Sequence, residues 1–292
     1  METVRPCGCK GIRTCLICEK DFNILKPDFA DECKKLQSYV YCPHCDKAWP
    51  GWDISLYKEH PNHQGIHVDF PGTYIQLDFL NTDECDALIN SLDSLPWDTS
   101  QSGRRKQNFG PKTNFKKKRL KLGNFNGFPE CTKFVQDKLS QVPKLNDFQT
   151  IEQCSLEYDP QKGASIDPHI DDCWIWGERI ITVNVLGDSV LTMTPYRGSR
   201  DKYNLNCVEH YQNEDLPEMN YVVRLPMPVG SLMVLYAQAR YQWEHAVLRE
   251  DVNSRRVCLA YREFTPPYLP NEKTKCNEES LEILEKAVNF FH

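Results

Sequence analysis

Residues 165–180 read SIDPHIDDCWIWGERI and contain His169 and Asp171, two positions apart in a predicted strand. Side chains at i and i+2 of a strand point to the same face, so an imidazole and a carboxylate would lie side by side. One more histidine completes the 2-His-1-carboxylate set that binds Fe(II) and leaves positions open for a co-substrate and oxygen. His245, in YQWEHAV, is the candidate for that third ligand. The alternative is a chance pair in which Asp171 only caps a turn.

On both sides of this stretch, from residue 151 onward, the chain has the pattern of a β protein. Short β-branched runs alternate with Gly, Pro and Asp turns, which is typical of a sandwich or jelly roll. The predicted strands are CSLEY (154–158), RIITVNVL (179–186), SVLTMTP (189–195), YVVRLPM (221–227), SLMVLYA (231–237) and RRVCLAYREF (255–264). Apolar stripes at helical spacing predict helices at 83–95, 130–142 and, at the C-terminus, 277–291. We therefore predict an α+β fold, mainly β, in which helices flank a jelly roll.

The composition is that of an ordinary folded protein. The 292 residues are 40% hydrophobic and 26% charged, and the formal net charge is −6. This acidic balance argues against a globally basic nucleic-acid binder, although a local basic patch can still exist. We see no leader-like segment and no apolar run that could span a membrane, so we expect the cytoplasm and nucleus and no membrane partner. In that reducing compartment, the 14 cysteines are metal ligands or small buried side chains rather than disulfides.

Half of the cysteines lie before residue 46, and two sets have the spacing of metal ligands. The first set, in CGCKGIRTCLICEK, predicts a zinc site formed by Cys7, Cys9, Cys15 and Cys18. The second set follows it and offers Cys42, Cys45, His60 and His63. A reduced cysteine cluster is the alternative for both sets, and an iron–sulfur site is a further alternative for the first. We predict a Cys/His-rich segment over residues 1–66 and a larger domain over residues 67–292.

The segment 101–128, QSGRRKQNFGPKTNFKKKRLKLGNFNGF, is strongly basic and contains no acidic residue. Its cations could neutralise phosphates while its phenylalanines stack on bases. The candidate substrate contacts are Arg104, Arg105, Phe109, Lys116, Lys117 and Lys118. A solvated loop and a docking edge for a protein substrate are the alternatives.

The strand RRVCLAYREF predicts a second binding feature. By strand parity, Arg256, Cys258, Ala260 and Arg262 share one face, so small side chains separate two guanidiniums. Arginine forks bind carboxylates bidentately, and a dicarboxylate beside an iron would fit between them. Two surface arginines in salt bridges are the alternative.

These motifs, taken in order, resemble those of the AlkB family of Fe(II)/2-oxoglutarate dioxygenases over roughly Gly72 to Phe264. The resemblance rests on the HID motif, a distal histidine after GSLMVLYAQARYQWEH, and the R-x5-R spacing. It implies a double-stranded β-helix whose cofactors are Fe(II), 2-oxoglutarate and O2. The implied iron ligands are His169, Asp171 and His245, and the implied co-substrate contacts are Arg256 at the distal carboxylate, Arg262 and Tyr158. Tyr158 matches the family's N-x-Y motif, but Leu156 stands where that motif has Asn.

The resemblance also implies oxidative N-demethylation and a choice between two substrates. The first is methyl-lysine in a protein, with actin as partner, a role in actomyosin contractility and cytokinesis, and a place at the midbody or contractile ring. The alternative is N6-methyladenine in DNA, for which the basic segment would act as a nucleotide-recognition lid. A non-catalytic, zinc-containing interaction module is a second alternative, from a different functional class.

Overall fold

A computed structural model describes residues 5–26, 28–208, 220–270 and 278–292. Its strands are β1 (Gln37–Cys42), β2 (Lys47–Pro50), β3 (Val68–Asp69), β4 (Thr73–Gln76), β5 (Asp98–Thr99), β6 (Arg104–Phe109), β7 (Lys112–Asn114), β8 (Arg119–Lys121), β9 (Phe128–Pro129), β10 (Glu152–Tyr158), β11 (Ile166–His169), β12 (Trp176–Leu186), β13 (Ser189–Pro195), β14 (Tyr221–Met227), β15 (Leu232–Leu235), β16 (Trp243–Val247), β17 (Arg256–Phe264) and β18 (Phe290–Phe291). Its helices are α1 (Leu16–Phe22), α2 (Phe29–Lys34), α3 (Thr82–Asp93), α4 (Lys133–Leu139), α5 (Ala237–Tyr241) and α6 (Glu278–Lys286). None of the helices in these ranges is long and apolar enough to cross a membrane.

Most of the strands in the described ranges form two seven-stranded sheets. One sheet has the order β11-β16-β13-β14-β1-β2-β3, and the other has the order β4-β15-β12-β17-β10-β6-β5. Within these two sheets, neighbouring strands pair antiparallel except for β1 and β14, which run parallel. The predicted fold class, a mainly β jelly roll with flanking helices, is confirmed.

Strand β17 separates the two main parts of the core. Cys258 belongs to the core between the sheets, where it joins residues of both, such as Met193 and Met233. The alternate positions Val257 and Leu259 belong to a second core under α3 and α4. Because side chains alternate along a strand, β17 turns its arginines toward the space between the sheets and its apolar residues toward the helices.

The predicted helices at 83–95 and 130–142 correspond to α3 and α4. Asn81 begins α3 with a capping box, in which its side chain accepts from the N–H of Glu84 at 2.9 Å and the Glu84 carboxylate accepts from the N–H of Asn81 at 2.9 Å. The stripe Leu88 and Leu92 is buried against the outer face of the second sheet. These helices therefore cover the sheet that carries β17.

The N-terminal segment contributes strands to the first sheet. Strand β1 pairs with β14 over Gln37–Val40 and Tyr221–Arg224, and β2 and β3 extend the sheet beyond it. The predicted boundary near residue 66 lies between β2 and β3, which pair with each other. The strands on both sides of that boundary thus share one sheet.

The end of the chain differs from the prediction. Helix α6 ends at Lys286, whereas the prediction extended the helix over 277–291, and residue 277 lies outside the described residues. Phe290 and Phe291 instead form β18, which pairs with β9. The rings of Phe128 and Phe290 lie 6.0 Å apart, so tertiary packing of the aromatic pair replaces the last helical turns.

Candidate active site

The two predicted histidine ligands face each other across neighbouring strands. His169 ends β11 and is paired directly with His245 on β16, and their ring centroids lie 4.2 Å apart. The Nδ1 of His169 lies 2.9 Å from the carbonyl oxygen of Asp167, which can only accept a hydrogen bond. The proton of His169 is therefore on Nδ1, and its Nε2 lone pair is available to a metal.

Burial keeps both imidazoles neutral. Desolvation lowers the pKa of His169 below its ordinary value, although Asp171 opposes the shift. Desolvation, reinforced by the neighbouring His169, lowers the pKa of His245 well below its ordinary value. Metal binding requires deprotonated ligands, so these two rings can bind a metal near neutral pH without first losing a proton.

The third predicted ligand, Asp171, follows β11 and contacts an arginine. Arg262 donates to Asp171 Oδ1 through Nε at 3.2 Å and Nη2 at 3.0 Å, and its Nη1 donates to Glu152 at 2.6 Å. Burial raises the pKa of the Asp171 carboxyl, but the positive charge of Arg262 outweighs burial, so the pKa lies below its ordinary value. Asp171 is therefore a carboxylate at neutral pH.

The unpaired oxygen of Asp171 shows whether this carboxylate could serve as the third metal ligand. Oδ2 is buried and has no hydrogen-bond partner among the described residues. In this structure the carboxylate faces Arg262, and its oxygens and the two imidazoles do not form a set whose ligand atoms all lie within 4.8 Å of one another. Binding of one metal ion by all three residues therefore requires the Asp171 carboxylate and the histidines to come closer together. Two neutral imidazoles and one carboxylate with an unused oxygen then fit Fe(II).

The second arginine of β17, Arg256, is buried and does not use all of its hydrogen-bond donors. Arg256 is 1% exposed, and it donates from Nε to Asn184 Oδ1 at 3.0 Å, while its Nη1 has no partner in the described chain. Its guanidinium lies over the Tyr158 ring, 4.6 Å from the centroid. A buried cation with a free N–H group is suited to bind a carboxylate.

Sequence reasoning did not identify three residues that orient these groups. Asn184 receives Arg256, and its own Nδ2 donates to the carbonyl oxygens of Gly187 at 2.8 Å and Met227 at 2.9 Å, which fixes the amide. Glu152 holds the far side of the Arg262 guanidinium. Arg240, also buried, donates from Nη1 to the carbonyl oxygen of Asp171 at 2.9 Å. Apart from the bond between Asn184 and Gly187, each contact joins positions far apart in the chain, so no local motif reveals these roles.

Both predicted cysteine sets converge in space. The four ligand atoms lie within 4.8 Å of one another in the set Cys7, Cys9, Cys15 and Cys18, and also in the set Cys42, Cys45, His60 and His63. In the second set, the Nε2 of His63 is buried and unpartnered among the described residues. Each set could thus hold one metal ion.

The basic segment forms a hairpin of β7 and β8 that follows β6. Its side chains have different environments: Arg104 is buried over the Tyr158 ring, Arg105 is ion-paired with Glu157, and residues 116–118 are exposed. The structure therefore does not bring all six candidate substrate residues to one surface.

An open cavity of about 860 Å³ lies between this segment and the C-terminal strand. Its lining includes Lys106, Asn108, Phe109, Lys112, Phe115, Asn124, Phe125, Glu152 and Phe291. Glu152 contacts Arg262, which contacts Asp171, so the cavity reaches to within two side chains of the candidate metal site.

Comparison with known proteins gives close relatives across almost the whole chain. No protein-family profile matches the chain. The mouse protein named alpha-ketoglutarate-dependent dioxygenase alkB homolog 4 is 38% identical, over 99% of this chain and 96% of its own length. The human protein of the same name is 36% identical, over 99% and 95%. The Caenorhabditis elegans protein named DNA N6-methyl adenine demethylase is 33% identical, over 89% and 87%.

Solved structures with similarity to the chain include several oxygenases. A prolyl-4-hydroxylase from Pseudomonas putida matches with a TM-score of 0.40 and 16% identity, over 66% of this chain and 92% of that protein. The structure of OsALKBH1 matches with a TM-score of 0.41 and 12% identity, over 68% and 100%. The family follows from the sequence relatives, because their identity reaches 38% and extends over nearly the full length. With that similarity, this chain belongs to the AlkB family of 2-oxoglutarate-dependent dioxygenases.

Proposed function

We propose that the chain is an Fe(II)- and 2-oxoglutarate-dependent oxidative N-demethylase. The observation that carries the proposal is the pair of neutral, partly buried histidines beside Asp171, whose Oδ2 is buried and has no partner among the described residues. In this enzyme family, iron with 2-oxoglutarate and O2 supplies the oxidation of a C–H bond. An N-methyl group is hydroxylated and leaves as formaldehyde, while 2-oxoglutarate becomes succinate and CO2. The family assignment argues against a non-catalytic, zinc-containing interaction module.

The chain's own residues bind and orient the reactants. His169, His245 and Asp171 hold the metal, with the Asp167 carbonyl fixing the tautomer of His169. Arg256 binds the distal carboxylate of 2-oxoglutarate with its unused N–H group. Asp171 and Arg256 are buried, the two histidines are partly buried, and the hydrogen bonds of His169 and Arg256 preorganise these side chains before any ligand arrives. Such preorganisation is the main way a protein accelerates a reaction of this kind.

The substrate that the cavity supports best is N6-methyladenine in DNA. Phe109 and Phe115 on the cavity wall can stack on a base, and Asn108 can read the edge of a base. Lys106 and Lys112 place positive charge where phosphates would pass, and this charge opposes the entry of a cationic methyl-lysine. The C. elegans relative named as a DNA N6-methyl adenine demethylase supports the same choice.

Methyl-lysine in a protein is the second candidate, with actin as the substrate implied by the resemblance. Glu152 favours it, because this carboxylate, which also pairs with Arg262, lies on an aromatic-lined wall where a methylammonium group could bind. If actin is the substrate, the exposed lysines at 116–118 would bind its acidic surface. The roles in contractility and cytokinesis follow from actin and are tested with it.

The decisive experiment measures formaldehyde release from two substrates in parallel. Purified chain is given Fe(II), 2-oxoglutarate and either an N6-methyladenine oligonucleotide or a mono-methyl-lysine actin peptide. We expect release from the oligonucleotide, and none from either substrate with the His169→Ala variant. Release from the peptide alone would establish the second candidate. Wild-type succinate formation by His169→Ala would disprove the site.

A charge variant tests the basic segment. Replacing Lys116, Lys117 and Lys118 by alanine should weaken oligonucleotide binding and reduce its salt dependence, because fewer counterions are released. The matched control replaces the exposed Lys20, Lys35 and Lys58, which removes the same charge elsewhere. Equal binding by the two triple variants would mean that residues 116–118 are only solvated.

A further inference from the structure

We infer that Cys7, Cys9, Cys15 and Cys18 bind one zinc ion, and that this zinc site fixes the position of β11, the strand that ends in His169. This second effect is called the brace. The first part stands on the cysteine cluster alone. The second part rests on the proposed function, because it concerns the affinity of the iron site.

The sulfur geometry fits one tetrahedral ion. All four sulfur atoms lie within 4.8 Å of one another, and the Sγ atoms of Cys15 and Cys18 are 3.9 Å apart. Zn–S bonds of about 2.3 Å in a tetrahedron separate the sulfurs by about 3.8 Å. A disulfide would need about 2.05 Å. Thiolates that bind a cluster of several irons stand farther apart, so the spacing favours a single ion.

The surroundings of the cluster supply donors and positive charge. Arg5 is buried, and it donates from Nη1 to Cys18 Sγ at 3.5 Å and from Nε to the carbonyl oxygen of Cys9 at 3.1 Å. Arg5 has no ion pair with any residue that the structure describes. Four thiolates around Zn²⁺ carry a net negative charge, which would balance this buried guanidinium.

Backbone N–H groups also point at the sulfurs. The N–H of Ser102 donates to Cys9 Sγ at 3.2 Å, and the N–H of Cys15 donates to Cys18 Sγ at 3.2 Å. Such contacts stabilise thiolates and orient metal ligands. The cluster is thus built as a ligand set with its outer hydrogen bonds in place.

A short chain of contacts connects the cluster to the iron-ligand strand. Ser102, which donates to Cys9, accepts through its carbonyl oxygen from the N–H of Ser165 at 3.1 Å. Ser165 immediately precedes β11. At Gly8, between the first two cysteines, an added Cβ would meet the carbonyl oxygen of Ser100 at 2.9 Å. The cysteine loop therefore packs directly on the segment that begins the basic region.

Helix α1 and the residues after it provide a second connection. Glu19 forms an ion pair with Arg249 at 2.7 Å, and Arg249 donates to the carbonyl oxygen of Gly163 at 3.2 Å. Lys26 forms an ion pair with Asp167, the residue whose carbonyl oxygen accepts from His169. Zinc that orders the N-terminal segment would therefore fix β11 through Ser165 and through Asp167. Loss of the zinc would make the position of His169 less fixed without removing an iron ligand.

The zinc site is tested first by metal analysis of the full-length chain. We expect one equivalent of zinc less in Cys15→Ser than in the wild type, by inductively coupled plasma mass spectrometry. Cys33→Ala is the matched control, because Cys33 is a buried cysteine outside both sets and its loss should not change the zinc content. Cobalt replacing that zinc should give the absorption of a four-thiolate site. Equal zinc in wild type and Cys15→Ser, or iron in place of zinc, would overturn the site.

The brace is tested on a variant that keeps every cysteine. In Lys26→Met/Glu19→Gln, zinc should remain, while the dissociation constant for Fe(II), followed by the absorption of its complex with 2-oxoglutarate, should rise about tenfold. The zinc-free Cys15→Ser should show at least the same loss. If Lys26→Met/Glu19→Gln and Cys15→Ser both bound Fe(II) with wild-type affinity, the brace would be disproved, while the zinc site would be unaffected by this result. A wild-type chain that binds no Fe(II) would disprove the proposed function and the brace together, whereas its zinc content would still decide the site.

Discussion

Replacing Arg256 by methionine should make the ligand-free protein more stable and its binding of 2-oxoglutarate weaker. The Arg256 guanidinium is buried, has no ion pair among the described residues, and has an unpartnered Nη1. Removing an uncompensated buried charge gains about 2–4 kcal/mol, and the Asn184 oxygen that loses its donor costs about 1–2 kcal/mol. The net gain of about 0–3 kcal/mol, centred near 1.5 kcal/mol, corresponds at its centre to a rise in Tm of roughly 3–6 °C.

The same substitution removes the partner of the co-substrate carboxylate. Losing one side of a buried, hydrogen-bonded charge pair costs about 2–5 kcal/mol, so the Kd for 2-oxoglutarate should rise roughly 30- to 5,000-fold. Thermal unfolding with and without 2-oxoglutarate measures both effects in one assay. The wild type should show a ligand-induced rise in Tm, and Arg256→Met should show none at the same concentration.

Arg179→Met is the control with the opposite pattern. Arg179 forms ion pairs with Glu263 at 2.6 Å and Asp147 at 2.6 Å, so its loss should lower Tm and leave the affinity for 2-oxoglutarate unchanged. Wild-type affinity in Arg256→Met would refute the reasoning, because the buried guanidinium would then have no part in binding the co-substrate.

Three further predictions concern stability and metal content. Burial raises the pKa of Glu157, but ion pairs with Arg105 and Arg255 outweigh burial and leave it below its ordinary value. The stability that Glu157 adds is therefore present above the ordinary pKa of about 4.3 and is lost as the pH falls through the lower pKa of the folded state. Urea titrations should show a lower free energy of unfolding for Glu157→Gln than for the wild type at pH 7, and this difference should vanish in acid. Gly72→Ala should lower the free energy of unfolding by about 2–4 kcal/mol, because φ is +90° and the added Cβ would meet a backbone oxygen at 2.2 Å; a denaturant midpoint equal to that of the wild type would contradict this. His245→Ala should lose the absorption of the Fe(II)–2-oxoglutarate complex while keeping its zinc, as metal analysis would show.

The sequence predicted the fold class and six of the central strands because these signals are local. The β-branched runs correspond to β10, β12, β13, β14, β15 and β17, and the apolar stripe at 83–95 corresponds to α3. Strand parity also placed Cys258 and Val257 on opposite faces of β17, as the two cores require. Period-two and period-3.6 patterns are properties of neighbouring residues, and they survive without knowledge of the rest of the chain.

The contacts that complete the site could not be predicted in this way. Glu152 reaches Arg262 from the neighbouring strand, and Asn184 reaches Arg256 across β12 and β17. Glutamate and asparagine in strands have many ordinary roles, so only the register between strands distinguishes these two. Similarly, the end of the chain became a strand because Phe290 packs on Phe128, a partner that helical periodicity cannot reveal.

The parallel pairing of β1 with β14 has a consequence for the order in which the protein folds. Gln37 pairs with Tyr221, so the partner of β1 leaves the ribosome only after most of the chain has been made. A contact between residues so far apart in sequence closes a large loop and forms slowly. Residues 37–40 are synthesised long before residues 221–224, so β1 can join the sheet only late in folding. Until then, the cysteines that precede β1 are open to solvent, metal ions and chaperones, and zinc bound early would order their segment before β1 can dock.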